Sequence, residues 1–153
     1  MTKTLTERER HFAPRFDDAL RLRDEGDLAG ARAQLESLVQ ELTVAEPRLL
    51  SHTHLQLGHI ATKLGDNGRR ELHFRCAASI APKLELASLA LFHALLANGK
   101  PQDAFDEMLR FVTLRDSQLY RELLAEGFGR DLTAADQMTV RRVRSLLAGH
   151  RRN

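Results

Sequence analysis

Five histidines, His52, His54, His59, His73 and His93, fall within one stretch of the chain, and they are the side chains whose chemistry most invites a site. An imidazole titrates near neutral pH and ligates transition metals through either ring nitrogen. His52 and His59 are seven residues apart, so on a helix they share a face two turns from each other. No carboxylate stands at a ligand spacing beside them, which predicts imidazoles that contact a partner and no bound metal or other cofactor. His73 and Cys76, three residues apart, have the spacing of half a metal site or of a base beside a nucleophile. Cys76 is the single cysteine, so a Cys2His2 centre cannot be built from one chain. Neighbours on one helix also do not supply the orienting group and oxyanion donors that acyl chemistry needs. Cys76 therefore reads as a small packing residue. With no Gly-x-Ser-x-Gly elbow, no His-Glu-x-x-His helix and no phosphate-binding glycine pattern, the expectation is a protein that is not an enzyme.

The elements that must position these residues are helices. Of 153 residues 42% are hydrophobic but only 5% aromatic, Trp is absent, and Leu, Ala, Arg and Glu dominate. A formal charge of +2 implies no strong overall field and does not point to nucleic acid. The exception is local, a basic patch of Arg141, Arg142, Arg144, Arg151 and Arg152 with no acidic residue among them. A lone cysteine suits a reducing compartment, and the polar start from Met1 to Arg10 lacks the apolar core of a secretory signal. With no apolar run long enough to span a membrane, a cytoplasmic protein is expected.

Punctuation divides the chain further. Pro14, Pro47, Pro82 and Pro101 are each read as the first residue of a helix, where the missing N–H costs nothing. Gly26-Asp27, Gly65-Asp66 and Asn98-Gly99 sit where a left-handed residue would close a helix. Helices are predicted near 14–25, 28–45, 47–64, 67–80, 82–98 and 101–115. Asp116 or Ser117 then caps a helix ending near Gly127, and Thr133 caps a last one from about 134 to 148. Gly127, Phe128 and Gly129 form a loop between these two. The reading is one all-α domain: an N-terminal segment 1–13, three helix pairs over 14–116, and C-terminal helices with a basic tail over 117–153.

The three turns at Gly26, Gly65 and Gly99 are 39 and 34 residues apart. From Leu50 to Pro82 the residues Leu57-Gly58, Ala61, Gly65-Asp66, Phe74, Ala77 and Pro82 recur at the spacing of the tetratricopeptide repeat, and this stretch resembles that family. Gly58 and Ala77 would be small where helices approach, with Leu57 and Phe74 filling the space between them. The flanking repeats are less regular. Phe92 stands where the middle repeat has Gly58, predicting a looser or edge pair, and Pro47 arrives a turn late, predicting an extended second helix in the first pair. The resemblance implies an antiparallel helix-pair array, an α-solenoid of about three repeats closed by capping helices.

It further implies that the first helix of each pair lines a concave groove. The residues at those positions are Phe16, Leu20 and Arg23, then His52, Leu55, His59 and Lys63, then Leu86, Leu89, His93 and Leu96. A largely apolar surface of this kind suits an apolar peptide or an amphipathic helix of a partner protein. The expectation is thus a protein-binding module, of the chaperone, adaptor or immunity type, with self-association also open to it. Val140, Val143 and Leu147 form an apolar stripe on the last helix that would seal the array. The competing function is association with nucleic acid through the arginines of that helix, against which stands the lack of interleaved aromatics.

Overall fold

The computed structural model describes residues 6–127 and 132–153; Phe128 and Gly129 of the expected loop lie outside the described residues. The described residues are all-helical, with eight helices and no strand, arranged as antiparallel helix pairs. They divide into two compact units, Met1–Ala81 and Pro82–Asn153.

The first unit holds α1 (Glu7–Asp24), α2 (Leu28–Glu41), α3 (Pro47–Lys63) and α4 (Asn67–Ile80). Within it α1 packs on α2, α2 on α3 and α3 on α4, and α1 also touches α3. The chain closes both pairs with the same turn. Gly26 and Gly65 take φ of +91° and +73°, and the amides of Asp27 and Asp66 donate back to the carbonyls of Leu22 and Ala61, both at 2.9 Å. This satisfies carbonyls that the end of a helix would otherwise leave open. The same two aspartates then cap the next helix, accepting from the amides of Gly30 and Arg69.

Apolar positions recurring at helical spacing build the core of this unit: Ala19, Ala31, Leu35, Leu38, Leu57 and Ile60 are buried together, with Phe16, Leu22 and Ile80 packed against them. A Cβ placed on Gly58 would overlap the ring of Phe74, itself 2% exposed, so the small residue is required by the close approach of α3 and α4.

Two expected boundaries in this unit are different. Pro14 does not begin a helix; it lies inside α1, which starts at Glu7 because Thr6 and Glu9 form a reciprocal capping box one residue ahead. Residues 7–13 are accordingly helix and not part of a separate terminal segment. Nor is α2 extended to residue 45. It stops at Glu41, because the amide and hydroxyl of Thr43 both donate to Glu46 Oε2 at 2.8 Å and hold the surplus residues as a loop.

The second unit holds α5 (Glu85–Ala97), α6 (Pro101–Leu114), α7 (Gln118–Glu126) and α8 (Ala134–Arg152). Gly99 at φ +71° repeats the closing turn, with Lys100 N–H donating to the Leu95 carbonyl, and Pro101 starts α6 as its position predicts. Pro82 does not start α5. The guanidiniums of Arg110 and Arg115 donate to the carbonyls of Pro82 and Lys83, each at 3.0 Å, and hold this segment outside the helix until Glu85.

The α5–α6 pair is less closely packed than α3–α4, as Phe92 at the Gly58 position predicts. Phe92 is completely buried, edge-on to Phe105 and Tyr120, while the buried residue at the Phe74 position is the flexible Met108. Ser117 and Thr133 cap α7 and α8 by accepting from the amides of Tyr120 and Asp136. The stripe Val140, Val143 and Leu147 is buried and α8 packs on α6, whereas Met138 stands out in solvent. His150 Nε2 donates to the Val112 carbonyl at 2.8 Å and secures the end of α8.

Candidate functional site

The residues expected to face a partner fall into both units. In the first, α1 and α3 carry Phe16, Leu20 and Arg23, and His52, Leu55, His59 and Lys63. Their apolar members are not the ones presented. Phe16 packs against the core, Leu20 is half-buried, and Leu55 is only 3% exposed, so it offers no surface to a ligand.

What opens between α1 and α3 is a polar cleft of about 470 Å³, lined by Arg23, Asp24, Gln56, His59, Thr62 and Lys63. The Arg23 guanidinium donates to Gln56 Oε1 and pairs with Asp24 at 2.7 Å, which ties the ends of the two helices together. His59 sits edge-on to Phe74 at 5.2 Å between centroids. Burial, and then the positive charges of Arg23, Arg70 and Lys63, hold its pKa below the usual imidazole value. His52, half-buried, is lowered by burial and by Arg48. Gln56 and Asp24 were not apparent in the sequence; the helical offset that marked His59 also reaches Gln56, three residues before it.

The structure brings together a different histidine pair. His54 on α3 and His73 on α4 meet with their Nδ1 atoms 3.1 Å apart, one donating and the other accepting. Burial, and then His73, push His54 down to about 4. His73 is lowered by burial, with Glu36 and Asp66 opposing and Arg69 assisting. Cys76 is half-buried, and burial raises its thiol above the ordinary value despite nearby Arg75, so it lacks the thiolate character of a nucleophile. Among the described residues no three His, Cys, Asp or Glu side chains converge as a metal ion would require.

In the second unit, α5 carries Leu86, Leu89, His93 and Leu96 at helical spacing on one side and buries Ala87, Leu91, Phe92 and Leu95 on the other. Leu86 is 57% exposed, Leu89 and Leu96 are half-buried, and His93 is exposed. This is a helix apolar on both sides, which is unusual for one with a solvent face.

Of the basic patch, Arg144, Arg151 and Arg152 line a second cleft, about 510 Å³ in volume, together with Arg121, Leu124, Ala125, Leu147 and Ala148. Arg141 and Arg142 are exposed elsewhere on α8. Arg121, 20 residues before the patch begins, is a member that sequence proximity could not supply. No helix of the described residues is long and apolar enough to cross a membrane. No protein-family model, curated protein or solved structure matches the chain.

Proposed function

We propose that this chain is a tetratricopeptide-like, non-catalytic binding module that holds an apolar peptide or helix of a partner protein against α5, the first helix of its third pair. The observation that carries the reading is α5. Its outward leucines, Leu86 foremost, are not needed to fill the core of their unit, which Leu91, Phe92 and Leu95 already fill with Met108 and Phe111. Apolar side chains kept in reach of solvent at i, i+3 and i+10 are the anchors that a helix or extended peptide would use. Roles consistent with this are a small chaperone that masks an apolar segment, an adaptor, or an immunity-type protein that occludes a toxin, acting in the reducing cytoplasm that a single unpaired cysteine suits.

The test is affinity capture from the source cells with wild type and with a Leu86→Arg, Leu96→Arg variant shown to fold by circular dichroism. The variant is expected to lose the partners that wild type retains. Recovery of the same partners by both would defeat the reading. Leu55 is unsuited to this test, since a buried charge there would unfold the first unit. Nucleic-acid association has less support: the arginine-lined cleft has no aromatic side chain on which a base would stack.

A further inference from the structure

The cleft between α7 and α8 has a composition that its own fold does not use. Ala125 and Ala148 offer an exposed apolar surface over the buried Leu124 and Leu147, and Arg121, Arg144, Arg151 and Arg152 surround it with no acidic residue in the lining. Arg121 is committed: it donates to the Leu147 carbonyl at 2.8 Å and pairs with Asp116 at 2.5 Å, so it braces the two helices. Arg144 only reaches the Leu124 carbonyl at 3.5 Å, a weak contact. Among the described residues no carboxylate pairs with Arg144, Arg151 or Arg152.

Complementing the dipole of α8 accounts for cations in its last turn, where Arg151 and Arg152 stand. It does not account for Arg144, two turns earlier on the same side, because the dipole effect falls off within one turn. The arrangement is that of a receptor: an apolar floor within a ring of one sign of charge.

We propose that this cleft is the docking site for an acidic segment of a protein partner, with one apolar side chain of that segment seated on Ala125 and Ala148 and its carboxylates on Arg144, Arg151 and Arg152. The site stands apart from the α5 surface and does not rest on it. Charge complementarity calls for an anion, and guanidiniums are suited to bidentate carboxylate recognition. A nucleic acid fits less well, because no aromatic lines the cleft. A lipid surface fits less well because the apolar stripe of α8, Val140, Val143 and Leu147, is buried and not available to insert.

The experiment is fluorescence anisotropy of the full chain with a short labelled peptide carrying Glu and Leu at helical spacing. Three comparison probes are used: a Leu-to-Ser version of that peptide, single-stranded DNA of equal charge, and vesicles containing an anionic lipid. Two variants separate charge from shape, Arg144→Glu with Arg151→Glu, and Ala125→Trp, which fills the cleft and leaves every charge in place. Each of these residues is exposed, and folding is checked by circular dichroism. The expected result is binding of the Glu/Leu peptide that weakens about tenfold or more in both variants and in the Ser version. Equal binding by the Ala125→Trp variant, no binding of the peptide, or tighter binding of the DNA or the vesicles would each overturn the proposal.

Discussion

His54 and His73 show what a single contact does to a titrating side chain. Two neutral imidazoles 3.1 Å apart share one proton between their Nδ1 atoms, and protonating the accepting Nδ1 would set N–H against N–H and lose that hydrogen bond inside the helix pair. His54 is held at about 4 when folded against 6.5 when exposed, so the unfolded chain takes up its proton first as the pH falls. The stabilisation from this group is complete above pH 6.5, declines as pH falls from there, and is gone below about 4. Allowing for partial solvent screening, the loss is about 2 kcal/mol across that window. Urea unfolding at about pH 7.5 and about pH 4.5 should therefore show wild type losing more stability than His54→Gln. Equal losses would mean that the pair does not control the acid limb. Each histidine was visible in the sequence as a group able to do chemistry. Their pairing was not, since it depends on how the turn at Gly65 sets α4 against α3.

At the scale of the helix pair, the three closing turns use one geometry, and the sequence announces it through glycines that must take positive φ. Counting back seven residues from each glycine gives Ala19, Gly58 and Phe92, and forward nine gives Leu35, Phe74 and Met108, all buried. Small opposite large in the first two pairs becomes large opposite flexible in the third, so volume is traded between registers and not simply lost. Gly58→Ala is expected to destabilise the protein by about 1–3 kcal/mol, because the added Cβ would overlap the buried Phe74 ring. Adding Phe74→Leu should recover part of that loss, a coupling that thermal or urea melts of the double-mutant cycle would reveal. Strict additivity would show that the two residues do not meet. The prolines were a poorer guide. Pro47 and Pro101 do begin helices, but Pro14 is carried inside α1 and Pro82 is left outside α5. A proline fixes only its own φ and removes one donor; the Thr6–Glu9 box and the Arg110 and Arg115 side chains decide the rest.

For the molecule as a whole, a formal charge of +2 leaves little long-range field, so charge acts where it is concentrated. The two proposed surfaces should then respond differently to salt. Raising ionic strength from about 0.05 M to about 0.5 M should weaken an acidic ligand in the α7–α8 cleft several-fold and leave an apolar ligand on α5 nearly unaffected. Isothermal titration at both salt concentrations would check this, and equal salt dependence of the two would contradict the assignment of their chemistry. Helical content, the places of the glycine turns and the apolar positions that fill the pairs were legible in the residues alone, because these depend on local conformation and on a period of 3.6 residues. It took the packing of the helices to show that Leu55 is buried while Leu86 is exposed, that His54 finds His73, and that Arg121 joins the C-terminal arginines around one cleft. Each of these depends on which faces of separate helices meet, and periodicity along one helix carries no information about the side chains of another.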